Sequence, residues 1–251
     1  MRIVLSFDDG RLDTFTEAFP ILKDNGLTAS VHITTGFIDG SFKTDEFGKG
    51  MKPIPIGALK EMFDYGIDIS SHGDFHKMEA NDFFKSKEKL SLWTSSDCKI
   101  GFSVPNSSAS EAEIKEFINE TSGDPLYVRV GRDKSCRSFI NKINYIFYKL
   151  FHFQVSFNSF NKNNINYSLD KFYIKSCVIK RHTRAKSIIK FIKKYSRKDC
   201  VFVLMFHSVL EKPTNDWEWD KKEFQILCAK LAEMKRSKSI DVLNLSKLII
   251  G

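Results

Sequence analysis

Long apolar runs are missing from this chain. Nothing in its 251 residues approaches the roughly 20 consecutive apolar residues that a membrane-spanning helix requires. Cysteine is scarce as well. Cys98, Cys136, Cys177, Cys200 and Cys228 are odd in number, scattered, and never in a C-x-x-C spacing. That argues against a disulfide framework and against a cysteine zinc knuckle, and it suits a reducing compartment. A leader peptide is not expected, because the apolar run in MRIVLSF is short and Asp8 and Asp9 end it. The expected location is the cytoplasm. Acidic residues are outnumbered, 31 to 39, leaving a formal net charge of +8. Such a balance suits an anionic partner (nucleic acid, a phosphate-bearing substrate or an anionic membrane surface) or is simply a lysine-rich composition. A nucleic-acid binder would show a positive stripe with exposed aromatics or a known module. Neither is present, so no nucleic-acid partner is expected. Internal repeats and low-complexity linkers are absent too.

What is present is enough apolar material for a sizeable core: 42% hydrophobic residues, with 23 phenylalanines. Apolar strands alternate with helical patterns. RIVLSF, LTASVHITTG, IDISSH, KIGFSVP, LYVRVG and DCVFVLMFH read as strands. Between them, DTFTEAFPILKDNG places Phe15, Ala18, Phe19 and Leu22 at helical spacing, with Pro20 as a possible kink. DKKEFQILCAKLAEMKR does the same with Phe224, Leu227, Cys228 and Leu231. Ser110 followed by Glu113 is a capping box that starts a helix. FIDGSFKTDEFGKGMKP reads as a long loop, a candidate lid or binding loop. This alternation predicts an α/β fold with a parallel sheet or barrel, and residues 1–251 are expected to form one domain.

In such folds, ligands bind at the C-terminal ends of the strands. The first strand ends in Asp8-Asp9, the third in His72 with His76 four residues later, KIGFSVP in Ser103 and Pro105, and VFVLMFH in His207. LYVRVGR carries Arg129 and Arg132. Each feature has a plain structural reading. Asp-Asp-Gly suits a strand-to-turn junction, His-x-x-x-His a surface helix, His207 a core position or cap, and Arg129 an ion pair. Together they offer a carboxylate with two imidazoles for a divalent metal. They also offer a second carboxylate to act as base and a histidine across the site to act as acid.

SFDDG, SSHGDFH and VLMFHSV resemble the first, second and last motifs of the polysaccharide deacetylases of the NodB type, metal-dependent enzymes that remove acetyl groups from sugars. The likeness extends to IGALKEMFDYGIDISSHGDFH and WEWDKKEFQILCAKLAEM, nearly the whole chain. It implies a distorted, seven-stranded, TIM-like (β/α) barrel forming one catalytic domain. Asp9, His72 and His76 would hold the metal, usually zinc. Asp8 would be the general base and His207 the general acid. A backbone N–H from Ser103–Pro105, with the metal, would stabilise the oxyanion.

The third motif departs from the family. Many members place an Arg-Pro-Pro type stretch there, whose arginine pairs with the base; here it reads GFSVPNSS, with Pro105 but no arginine. Arg129 is the expected replacement and Arg132 the fallback, since a cation beside Asp8 keeps it ionised. The expected substrate is an acetylated, phosphate-bearing sugar, nucleotide- or lipid-linked, of the kind used to build surface polysaccharide. In INKINYIFYKLFHF, Ile143, Ile146, Phe147, Leu150 and Phe151 form one helical face flanked by Lys142 and Lys149. That face would rest on an anionic membrane surface, or the stretch is a core-facing helix of the barrel or a loop insertion. The alternatives are a sugar-binding pseudoenzyme of the same fold, because of the missing arginine, and a non-haem iron enzyme, which the alternating pattern disfavours.

Overall fold

A computed structural model describes residues 1–43, 45, 47, 50–133, 143, 146–147, 150 and 162–251. Its strands in chain order are β1 (Arg2–Phe7), β2 (Ser30–Ile33), β3 (Asp68–Ser71), β4 (Phe102–Ser103), β5 (Ser108–Ala109), β6 (Val128–Val130) and β7 (Arg132–Asp133). They continue with β8 (Ile165–Asn166), β9 (Ile174–Val178), β10 (Val201–Phe206), β11 (Ser208–Leu210), β12 (Glu218–Asp220) and β13 (Asp241–Leu243). The order β1-β2-β3-β4-β6-β9-β10 closes on itself where β10 pairs with β1, giving a seven-stranded parallel barrel. Its closing seam is its most regular part, with Arg2 to Phe7 in register with Val201 to Phe206. The barrel is distorted beside it. Only Ser6 and Phe7 at the top of β1 pair with β2, while Arg2 to Val4 at the bottom pair with β13.

Helices pack outside: α1 (Phe19–Asp24), α2 (Thr35–Asp39), α3 (Ile56–Tyr65), α4 (Ala80–Thr94), α5 (Glu111–Glu120), α6 (Ala185–Tyr195), α7 (Lys221–Arg236) and α8 (Leu245–Ile250). Before α1, Thr14–Ala18 forms a π-helical turn, so Pro20 falls in the first turn of α1, where a missing N–H costs nothing. The Ser110–Glu113 capping box starts α5. The stretch read as a loop from Phe37 onward begins inside α2, a short helix that the sequence reading did not anticipate.

Strand alternation divides the interior. Ile3, Leu5 and Phe7 of β1 and Phe202, Leu204 and Phe206 of β10 face the helices and share one core with Phe224, Leu227, Cys228 and Leu231 of α7. Their neighbours face the barrel's inside. At its bottom Val4, Val201, Val203 and Ile174 meet Leu245 and Leu248 of α8 as an apolar plug. Above the plug the inside turns polar, with Ser6, Ser30, His32, Ser70, Arg129 and Ser176 all fully buried. The base of the functional site is therefore part of the barrel's own interior.

Among the described residues, no helix is long and apolar enough to cross a membrane. Ile143, Ile146, Phe147 and Leu150 are helical and exposed, so they do not face the core. Lys142, Lys149 and Phe151 lie outside the described residues.

Candidate active site

The two adjacent aspartates part company at a backbone turn. Asp8 continues the β1 ladder, its N–H donating to Phe206 O at 3.0 Å. Asp9 then takes the left-handed conformation at φ 74°, which aspartate tolerates better than most residues. The turn is pinned by Thr34 N–H on Asp9 O (3.3 Å) and Ile54 N–H on Gly10 O (2.9 Å). Asp8 thereby points into the barrel and Asp9 toward its rim.

Asp8 is fully buried, and Arg129 faces it from β6. Arg129 Nη2 donates to both carboxylate oxygens, at 2.5 and 2.6 Å, and also to Ser103 Oγ. Its Nη1 donates to Ser176 Oγ at 2.8 Å. Burial pushes the Asp8 carboxyl up, but Arg129, with His72 and His32, more than offsets it and holds Asp8 well below the usual carboxylate range. Arg132 has its backbone in β7, and its side chain lies outside the described residues.

Asp9, His72 and His76 present ligand atoms all within 4.8 Å of one another. His72 Nε2 lies 3.6 Å from Asp9 Oδ1 and 3.2 Å from His76 Nε2. His72 Nδ1 donates to Ser103 O at 2.9 Å, which fixes the tautomer and leaves the Nε2 lone pair facing the other two groups. Burial lowers the His72 pKa against the pull of Asp8 and Asp9, so the ring stays in the neutral form a metal needs. Two buried imidazole and carboxylate donors converging with a third at the rim fit a divalent cation.

Other residues hold these ligands, and the sequence reading passed them over. Arg11 Nε and Nη2 contact Asp9 Oδ2 at 2.8 and 2.7 Å, committing that oxygen and leaving Oδ1 toward the histidines. Burial would raise the Asp9 pKa, but Arg11 and then His207 lower it below the ordinary value. Arg11 Nη1 also donates to Ser208 Oγ at 3.2 Å, and Asp13 accepts from Ser208 Oγ (3.2 Å) and Val209 N–H (2.8 Å). The loop carrying His76 is clamped by Asp82 of α4, whose carboxylate accepts from Phe75 N–H at 2.8 Å and Lys77 N–H at 3.0 Å. A side chain on Gly73, at φ +84°, would collide with that carboxylate. Arg11 and Asp13 stand inside DDGRLD itself, where a charge run after a strand was a usable signal.

His207 ends β10 opposite this cluster, and its ring packs on Trp217 with centroids 5.0 Å apart. Burial lowers its pKa, with Asp9 and Asp8 pulling the other way. Trp217 is 45% exposed, and Lys180 Nζ lies over its ring at 5.3 Å from the centroid. Its loop is held by Glu218, which accepts from Thr214 N–H (2.5 Å) and Asn215 N–H (3.1 Å).

Ser103 ends β4 and Pro105 begins the turn that follows it. Val104 N–H is committed to Arg129 O at 2.9 Å, and proline has no N–H. Ser103 instead contacts the site twice, with its carbonyl on His72 and its hydroxyl between Arg129 and Asp8 (3.4 Å to Oδ1).

A closed parallel barrel with carboxylate and imidazole groups gathered at its C-terminal rim is the layout of a (β/α)-barrel enzyme. Residues 1–123 match the family described as polysaccharide deacetylase. Solved structures show the same fold. A family 4 carbohydrate esterase from Streptomyces lividans, in complex with acetate, is 12% identical, with 96% of this chain and 91% of that one covered at a TM-score of 0.52. A family 4 acetyl xylan esterase from Clostridium thermocellum, in complex with a cobalt ion, is 13% identical, with 99% and 90% covered at 0.53. A peptidoglycan N-acetylglucosamine deacetylase is 13% identical, with 98% and 86% covered at 0.54. A comparison with curated proteins returns no match.

Proposed function

We propose that residues 1–251 form one catalytic domain that hydrolyses an acetyl group, most simply an N-acetyl, from a sugar. The observation that carries this reading is the pairing of two sites at the barrel mouth. Asp9, His72 and His76 converge as a metal-ligand set, and beside them Asp8 is held ionised by Arg129. The family match over residues 1–123 points to the same chemistry.

Asp9, His72 and His76 would hold a divalent metal, for which zinc suits the nitrogen and oxygen donors. When bound, such a metal supplies Lewis acidity toward water and the acetyl carbonyl. The chain's own residues do the rest. Asp8 takes the proton from the attacking water, and its low pKa ensures that it starts as a carboxylate. Arg129 and Ser103 fix its orientation. His207 hands a proton to the departing amine nitrogen as the C–N bond breaks. Burial keeps His207 neutral near neutral pH, so it must first take up a proton. The part-exposed ring of Trp217, packed on His207, offers aromatic surface for the sugar ring beside that nitrogen. Ser103 takes a holding role, and Val104 and Pro105 are not assigned the oxyanion.

The substrate class we propose is a phosphate-bearing precursor, nucleotide- or lipid-linked, used in surface polysaccharide assembly in the cytoplasm. The +8 charge supports it, as do the thiols of Cys98, Cys200 and Cys228, which form no disulfide among the described residues. Peripheral contact with an anionic membrane is supported by the exposed Ile143, Ile146, Phe147 and Leu150. The test is acetate release from a panel of nucleotide-linked, lipid-linked and free N-acetyl and O-acetyl sugars by the zinc-loaded protein. Release from a phosphate-bearing member supports the reading, and none from any member contradicts it.

A further inference from the structure

Asp74 lies between the two histidines of the metal-ligand set, and its side chain is 3% exposed. It ties the loop from His72 to His76 to α2. Thr35 N–H donates to Gly73 O at 3.1 Å and Gly36 N–H to Asp74 O at 2.9 Å. Thr35 Oγ1 donates to Asp74 Oδ1 at 2.7 Å. Lys89 of α4 donates to the same oxygen at 2.7 Å, and its ammonium also lies 2.6 Å from Oδ2 of Asp39, the last residue of α2. One cation therefore bridges the metal-binding loop and the far end of α2.

The two segments meet at backbone distance. A Cβ on Gly36 would lie 2.6 Å from Asp74 O and 2.8 Å from Phe42 Cβ, so a larger residue would push them apart. Aromatic rings extend the contact. Phe42 packs on Phe75 with centroids 5.8 Å apart, and Phe47 touches both Phe37 of α2 (5.0 Å) and the His76 ring (5.1 Å). The loop is thus gripped from two sides. Its Gly73 and Asp74 carbonyls go to α2, and its Phe75 and Lys77 N–H groups go to Asp82. His76 needs that grip. It sits at φ 57°, a left-handed conformation that a histidine keeps only where its surroundings impose it.

We infer that α2 is a fixed wall of the metal centre and that Lys89 is the positioning residue that fastens it, on the reading of Asp9, His72 and His76 as metal ligands. Phe37 to Phe42, which open the stretch expected to be a lid or binding loop, belong to this wall. Without the ammonium, Asp39 and Asp74 face each other as like charges, and α2 loses its hold on the loop that presents His76.

Metal binding reads the wall without any substrate. Calorimetric titration with zinc and the visible absorption of cobalt-loaded protein are compared in wild type, Lys89→Met, Lys89→Arg and Gly36→Ala. Hydrogen exchange of the Thr35 and Gly36 amides is followed in wild type and Lys89→Met. Lys89→Met and Gly36→Ala should each weaken zinc about tenfold or more and alter the cobalt spectrum. Exchange at both amides should be slow in wild type and about tenfold faster or more in Lys89→Met. Lys89→Arg, whose guanidinium can still bridge two carboxylates, should stay within about threefold of wild type in zinc affinity. Should Lys89→Met fail to fold, Asp39→Asn opens the same bridge at its more exposed end and should weaken zinc severalfold. Wild-type zinc affinity and an unchanged cobalt spectrum in Lys89→Met, or in Asp39→Asn in its place, overturn the role of Lys89. The same result in Gly36→Ala overturns the wall, and an equal loss in Lys89→Arg and Lys89→Met overturns the bridge. A wild type that shows the predicted metal behaviour but releases no acetate from any sugar supports the wall and overturns the proposed function instead.

Discussion

Arg129 Nη2 stands 2.5 and 2.6 Å from the two oxygens of Asp8, across 121 residues of sequence and from the facing side of the barrel. Both side chains are fully buried. Removing one partner of a buried ion pair strands the other charge, at a cost of about 3–5 kcal/mol. Arg129→Ala should therefore lose stability on that scale in denaturant melts as well as losing activity. Arg129→Lys keeps the charge but not the contact to both oxygens, so its activity should fall further than its stability. An Arg129→Ala protein as stable and as active as wild type would remove Arg129 from the site.

The clamp on the His76 loop makes a prediction about metal alone. Asp82→Ala frees the N–H groups of Phe75 and Lys77 while leaving Asp9, His72 and His76 in place. Groups that orient metal ligands are worth roughly 10- to 100-fold in affinity. Calorimetric titration with zinc or cobalt should show a loss in that range, and unchanged affinity would mean that the loop holds His76 without Asp82.

Asp13 gives a dependence of stability on pH with a definite sign. Burial pushes its carboxyl from the ordinary 3.8 up to about 6, despite the hydrogen bonds from Val209 and Ser208 and the nearby Arg11. Between those values the folded chain binds a proton that the unfolded chain does not. The resulting stabilisation is complete below 3.8 and is lost as pH rises through about 6. From about pH 4 to about pH 7, wild type should lose up to about 3 kcal/mol relative to Asp13→Asn. Parallel stability curves for the two proteins would contradict the buried, raised carboxyl.

Trp217 is predicted to act on binding rather than on chemistry. Trp217→Ala removes the part-exposed aromatic ring beside His207. A loss of about 1.4 kcal/mol of apolar contact corresponds to roughly a tenfold rise in KM, and kcat should change much less. Steady-state kinetics on the acetylated sugar separate the two. A fall confined to kcat would place Trp217 in support of His207 instead.

Much of the barrel was legible because short apolar runs, buried along nearly their whole length, alternate with helical patterns. Ile3, Leu5 and Phe7 declare one face of β1, and Ser110 with Glu113 declares the start of α5. The strand ends carrying Asp8, His72 and His207 stood out because charged or ionisable groups follow apolar runs. What stayed hidden depends on contacts between distant strands. His32 lies inside SVHI like any core residue, and only the closed barrel brings it to Ser6, Asp8 and Tyr127. Asp82 reads as an ordinary first-turn acid of α4, and its hold on the His76 loop needs the fold of Gly73 to Lys77. Helix α2 is five residues long, too short to show a helical period.

The central claim is that Asp8 removes the proton from the attacking water while Asp9, His72 and His76 hold the metal. Its most direct test is Asp8→Asn, with acetate release and zinc content measured on the same preparation. Zinc bound at wild-type stoichiometry with acetate release reduced at least 100-fold is the predicted result, in line with the usual contribution of a general base. Acetate released at the wild-type rate by zinc-loaded Asp8→Asn would contradict the claim.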